Sequence, residues 1–254
     1  MDDRDNDGMP IAELVDERQC LLEVACRLLG GSTGADRVVN EAYRRWYELP
    51  GPARAAIAVP RTWLVKVTGA LCPARPGLPG GKESGLDDDF GTPPDGVVRI
   101  VGQRRPERAD PAGPARRSRR AQRSRPTPPR LQDVVARSVL RACMAEDAAL
   151  LTSLLTSDAA VFFDGGGKVR APADPVHGDR RVARSLLALL APHPRTTVCV
   201  HAVNGRTGLV VRYGGQVAAV VGLDVAGPHV VQVWVTLNPD KLRPWNRPDP
   251  PTGP

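Results

Sequence analysis

Asp164-Gly165-Gly166-Gly167-Lys168 follows directly on the apolar run Ala159-Ala160-Val161-Phe162-Phe163. The run reads as a strand, and the segment after it as a loop kept bare by three consecutive glycines. Such glycines forgo side-chain packing and cost backbone entropy, and in return they allow positive φ or a close approach by another part of the chain. One reading is a plain hairpin turn. The other is a docking surface, with Asp164 and Lys168 as its polar anchors. Everything C-terminal of about Leu131 reads as support for this loop, and what precedes it as a separate unit.

Working outward, Leu131, Val134, Val135, Ser138, Val139 and Ala142 predict a helix, and Leu150, Leu151, Leu154 and Leu155 a shorter one. Beyond the loop, Arg180 to Leu190 forms a helix with Val182, Ala183, Leu186, Leu187 and Leu190 inward. Four strands follow, over 197–203, 208–213, 216–223 and 230–237, separated by Asn204-Gly205, Gly214-Gly215 and Gly227-Pro228. Asn-Gly is a strong hairpin signal. Helices first and an antiparallel meander afterwards predict an α+β unit over 131–243, with a curved sheet, helices on one face and an enclosed pocket. Residues 244–254 read as a disordered tail.

The front of the chain is helical. Ile11 to Leu29 carries Leu14, Leu21, Leu22, Ala25, Leu28 and Leu29 at helical spacing, and Gly30-Gly31 closes it. A second helix starts near Thr33, where Thr33 and Asp36 have capping-box spacing. It runs to Glu48 with Ala35, Val38, Val39, Ala42, Tyr43 and Trp46 on one face. Leu49 to Val59 reads as a loop. Pro60 opens a third helix that buries Trp63, Leu64, Val67 and Leu71. Residues 1–10 read as a disordered N-terminus and 11–72 as a three-helix all-α unit. Residues 73–130 are rich in Pro and Gly, with ten arginines between Arg104 and Arg130, and read as a long disordered linker.

Composition narrows the function classes. The 254 residues hold 41% hydrophobic side chains but only 4% aromatic ones, so the core is mainly aliphatic. The net charge is +7, carried almost wholly by arginine. Cys20, Cys26, Cys72, Cys143 and Cys199 are odd in number and have no CxxC spacing. They read as reduced thiols, not as a metal site or a disulfide framework. The N-terminus is acidic and polar, unlike a secretory signal, and no apolar run approaches the ~18 residues of a membrane span. A cytoplasmic protein without membrane, metal or cofactor is expected.

Two stretches resemble known families. Arg27-Leu28-Leu29-Gly30, then Ala35-Asp36-Arg37-Val38-Val39-Asn40-Glu41-Ala42-Tyr43-Arg44-Arg45-Trp46, resembles region 2 of extracytoplasmic-function RNA polymerase sigma factors, and Pro60-Arg61-Thr62-Trp63-Leu64 resembles its last helix. Residues 131–243 resemble the SnoaL-like domain that one actinobacterial group of these factors carries. The marks are Asp164-Gly165-Gly166-Gly167-Lys168, Val203-Asn204-Gly205 and Asn238-Pro239-Asp240-Lys241-Leu242. The resemblance implies core RNA polymerase as a partner through Asp36, Asn40 and Glu41. It places Arg44, Arg45, Arg61 and Lys66 near promoter DNA. It also implies that the loop 164–168 and the segment Asn238, Pro239, Asp240 and Lys241 dock on the helical unit or the linker and tune its activity.

Departures from the pattern imply weakened initiation. Arg37 stands where the family has an acid, and Asn40 replaces a glutamine. Leu49 to Val59 lacks an aromatic to stack an unpaired base. No helix pair for region 4, the reader of the upstream promoter element, is legible within 73–130, so promoter contact is expected to be weak or lost. A second reading is a small-molecule binder or cyclase using the C-terminal pocket, with Asp164, Asp224 and His201 as the acid–base candidates. A third is a protein that binds nucleic acid through its Arg-rich linker alone. Trp46 and Trp63 read as core, and the four histidines show no metal-ligand spacing.

Overall fold

The computed structural model describes residues 9–72 and 127–247. Of the linker expected over 73–130, residues 73–126 lie outside the described residues, as do the first eight residues and 248–254. The end of that stretch is ordered, with a helix beginning at Pro129. The helical unit comprises α1 (Ile11–Leu29), α2 (Ala35–Glu48), α3 (Gly51–Ala55) and α4 (Pro60–Leu71). Leu21, Ala25, Val39, Ala42, Tyr43, Trp46 and Leu64 form its core. Trp46 and Trp63 meet edge to face at 5.4 Å inside it, as core aromatics do.

Gly30 closes α1 in the left-handed conformation (φ 72°). The expected capping box does not form: Gly34 occupies the N-cap of α2 at φ 86° and no side chain caps the helix. Asp36 is drawn to Arg18 instead, at 3.0 Å. A charged partner from another helix outcompetes a local cap. The loop expected over 49–59 contains α3, whose proline sits where the first-turn amide needs no partner.

The C-terminal unit comprises α5 (Pro129–Met144), α6 (Ala148–Ser153), β1 (Leu155–Asp164), β2 (Val176–His177), α7 (Asp179–Leu189), β3 (Thr196–Val203), β4 (Arg206–Tyr213), β5 (Gln216–Ala226), β6 (His229–Thr236) and α8 (Pro239–Leu242). Strand order is β2-β1-β6-β5-β4-β3. The α+β class is as expected, and β3 to β6 form the antiparallel meander. The sheet is nevertheless mixed, because β1 runs parallel to β6, with Val161 opposite Val233 and Asp164 opposite Thr236. The chain between them, β2, α7 and the hairpin strands β3 to β5, supplies the long crossover that parallel pairing demands.

One face of the sheet packs on α5 and α7 through Val135, Val139, Val161, Leu186, Leu209, Val221 and Val233. Helix α5 is rotated relative to its expected stripe: Val134 is exposed, whereas Gln132 is buried. The Gln132 amide donates to the carbonyl oxygens of Thr207 and Leu223, each at 2.9 Å. Buried amides must find such partners.

The tail expected from residue 244 is packed against the sheet over its first described residues. The other face of β4 and β5 carries Val210, Val217 and Val220, which Leu242 and Trp245 cover. Asn246 exchanges two hydrogen bonds with the backbone of Val217, at 2.7 and 3.0 Å.

Helix α1 belongs to both units. Its first turns put Ile11 and Leu14 into the C-terminal core, and its later turns put Leu21 and Ala25 into the helical core. A 19-residue helix spans about 28 Å, long enough to reach from one core to the other. The boundary expected at residue 72 is therefore bridged from the front of the chain.

Candidate functional site

The glycine loop is shaped by what it approaches. At Gly166, with φ +59°, an added Cβ would lie 2.2 Å from the side-chain nitrogen of Asn238. At Gly165 it would lie 2.9 Å from Val169. Only glycine accepts both the left-handed backbone and this contact. Asn238 in turn caps α8 by accepting from the Asp240 amide at 3.0 Å. Two ion pairs then cross between the motifs. Lys168 meets Asp240, and Lys241 meets Asp164 at 2.8 Å. The Lys168 hydrogen bond holds the Asp240 carboxyl below the usual aspartate range. The two stretches singled out by sequence thus form one clasp.

The contact with the helical unit begins at the end of that clasp. Arg18 of α1, only 12% exposed, donates to the Lys168 carbonyl oxygen at 2.8 Å, to Asn40 at 3.2 Å and to Asp36 at 3.0 Å. The single Tyr47 hydroxyl proton donates to the Val169 carbonyl oxygen at 2.7 Å, with that of Ala171 also in reach at 3.0 Å, and the hydroxyl accepts from the Ala171 amide at 2.9 Å. Burial raises the Tyr47 phenol, which keeps it a donor.

Between these two contacts, Arg170 enters a pocket on the helical unit. Its guanidinium binds the Glu17 carboxylate, Nη2 to Oε2 at 3.0 Å and Nε to Oε2 at 3.2 Å. It also lies over the Trp46 ring at 5.9 Å. Glu17 is 2% exposed and accepts a further bond from the Tyr43 hydroxyl at 3.2 Å. Burial, and then the neighbouring Glu17, push the Tyr43 phenol far up, so it remains protonated. A second anchor lies at the residue before Glu17 on α1, where Tyr213 donates to the Asp16 carboxylate at 2.8 Å and Arg195 stacks on the Tyr213 ring.

Of the expected polymerase-facing residues, Asp36 and Asn40 share Arg18, while Glu41 pairs with Arg44 and Arg45. Arg44 holds Glu41 below the ordinary glutamate range. Arg44 is also bound to Glu48, and Arg61 lies against Cys20 of α1. Arg44, Arg45, Arg61 and Lys66 are all exposed. Clefts of about 580 and 520 Å³ flank the contact. The first runs between Asn40, Arg44, Tyr47 and the glycine loop, the second between α1 and the β4–β5 turn.

The acid–base candidates are not brought together. Asp164 pairs with Lys241, and Asp224 with Arg206 and the Trp234 indole. Their β6 partners, Thr236 and Gln232, are four residues apart, about 13 Å along a strand. His201, expected to point into a pocket, is exposed on the edge strand β3 beside Trp245, because Leu242 and Trp245 cover this face and the concave side is filled by α5. Among the described residues no group of His, Cys, Asp and Glu is placed to hold a metal, and no helix is long and apolar enough to cross a membrane.

Glu17, Arg18, Tyr43, Tyr47 and Arg170 were not singled out by sequence. One signal was present. Glu17 falls between Leu14 and Leu21 on the buried stripe of α1, where an acid demands a partner.

No family model and no curated protein matches the chain. Solved structures do. The extracytoplasmic function sigma factor SigJ of Mycobacterium tuberculosis is 21% identical, with 92% of this chain and 98% of that one covered, at a TM-score of 0.38. An NTF-2 like protein from Burkholderia xenovorans LB400 is 15% identical over 48% of this chain and 97% of its own, at 0.34. An LEH-like epoxide hydrolase of M. tuberculosis is 15% identical over 46% of this chain and 89% of its own, at 0.30. The superpositions are loose, and none of them assigns a role to a residue of this chain.

Proposed function

We propose that this chain is a sigma-factor-like transcription regulator whose helical unit binds core RNA polymerase and DNA, and whose C-terminal unit restrains it. One observation carries the reading: a single guanidinium, that of Arg18, holds the Lys168 carbonyl, Asn40 and Asp36 together. Asp36 and Asn40 are residues that the sigma-factor resemblance assigns to polymerase. In the docked state they are committed to Arg18, and the glycine loop borders the cleft beside Asn40 and Arg44. The loop of residues 164–168 and the segment 238–241 act as the regulatory clasp. Polymerase binding then competes with docking, and contact with DNA through Arg44, Arg45, Arg61 and Lys66 is expected to be weak, since the sequence of 73–130 carries no legible upstream reader. The reading assigns no catalysis, since Asp164, Asp224 and His201 each serve separate structural contacts.

Capture of core polymerase on the immobilised full chain tests it. Wild type is expected to retain polymerase, and Glu41→Arg to lose it. If neither wild type nor a variant with the contact opened retains polymerase, the reading fails. DNA affinity is expected to fall with salt, at a log–log slope of about −0.9 per phosphate neutralised.

A further inference from the structure

The pocket that takes Arg170 is built for one chemical group. Its floor is the carboxylate of Glu17, 2% exposed and already bonded by Tyr43. Its wall is the face of Trp46. Its rim is the Tyr47 hydroxyl, which reads the backbone on either side of the arginine in both directions, as acceptor from Ala171 and donor to Val169. A planar guanidinium satisfies floor and wall together, by two bonds to the carboxylate and by lying over the indole, whereas an ammonium is a point charge that cannot do both. Of the other guanidiniums close by, Arg18 is engaged with Asp36, Asn40 and Lys168, Arg61 lies beside Cys20, and Arg54 lies over the Tyr47 ring at 6.0 Å.

Release of the C-terminal unit would take the cation from Glu17 and the backbone partners from the Tyr47 hydroxyl, and would uncover the face of Trp46. We infer that the pocket formed by Glu17, Tyr43, Trp46 and Tyr47 is a receptor for an arginine within an extended peptide. Val169-Arg170-Ala171 is its internal occupant, and the unit opens by exchange with an arginine-bearing segment of a partner. The inference rests on the docked state being reversible, as the proposed function requires, but its test involves no polymerase.

A fluorescent peptide Lys-Val-Arg-Ala-Pro, matching residues 168–172, is titrated into full-length wild type, Arg170→Ala and Arg170→Lys. The expected order is binding at least about tenfold tighter to both variants than to wild type, in which the pocket is already filled. Replacing the peptide arginine with lysine is expected to lose about tenfold or more. Arg170→Lys retains stem and charge and serves should Arg170→Ala not fold. Equal binding to wild type and both variants, no binding to either variant, or indifference to lysine in the peptide would overturn the inference. Binding without any effect on polymerase capture would leave the receptor standing and count against the proposed function alone.

Discussion

Within eight consecutive residues the chain makes two kinds of contact, and they differ most in burial. In the clasp, Lys168 and Asp240 are 26% and 42% exposed, and Lys241 and Asp164 are 64% and 39% exposed. In the pocket, Arg170 is 21% exposed and Glu17 2%. Exposed ion pairs contribute little net stability because water and salt screen them, whereas breaking one member of a buried pair strands the other. The clasp therefore shapes and orients the loop, and the pocket holds it. Chemistry that looks alike in a list of charged residues does different work at different depth.

This contrast can be broken most severely at the Arg170–Glu17 pair. Arg170→Ala leaves the Glu17 carboxylate buried without its cation and is expected to destabilise the chain by about 3 kcal/mol, read as a shift in the urea midpoint. Glu17→Gln should recover part of that loss in the Arg170→Ala background, since a neutral amide no longer needs the cation. A double-mutant cycle that gives no coupling would mean that the pair does not hold the units.

The next largest effect falls on Tyr47→Phe, which removes the donor to the Val169 carbonyl and the acceptor of the Ala171 amide and should cost about 1–3 kcal/mol. Gly166→Ala comes next, at roughly 1–2 kcal/mol, because φ is positive there and Asn238 stands in the way. Combining it with Asn238→Gly should relieve the clash but not the backbone strain.

Smallest of all is Lys168→Ala, expected to change stability by about 0–1 kcal/mol. Its signature is in acid. The folded state holds Asp240 below its ordinary value of 3.8, so the clasp contributes above that pH and is lost as pH falls below it. Wild type and Lys168→Ala should therefore converge on acidification and differ most at neutral pH.

Most elements and the bare glycine turn were legible in the sequence because they follow local rules. The pairing of residues 164–168 with 238–241 was not, since both were expected to dock on the helical unit or the linker. Gly30 ends α1, Asn-Gly turns β3 into β4, and three glycines after a strand predicted a close approach, which Asn238 makes. The pocket was not legible, because its partners are 153 positions apart and arginine is the commonest cation of this chain. Nothing local separates Arg170 from the exposed Arg180. The parallel pairing of β1 with β6 was hidden for the same reason, since an apolar run does not state its neighbour's direction. His201 misled because alternation along β3 gives two faces without saying which one α5 covers. The supposed tail misled because proline-rich composition outweighed Leu242 and Trp245, which the valines of β4 and β5 require.

The central claim, that Arg170 in its pocket keeps the two units together, is tested most directly at the amide of Ala171. That N–H is bonded to the Tyr47 hydroxyl across the interface, and its hydrogen exchange can be followed by NMR in the full chain. Protection well above the random-chain rate in wild type, lost in Arg170→Ala while the core amides of Val161 and Leu209 remain protected, is the predicted result. Exchange at Ala171 equally fast in wild type and variant would contradict it.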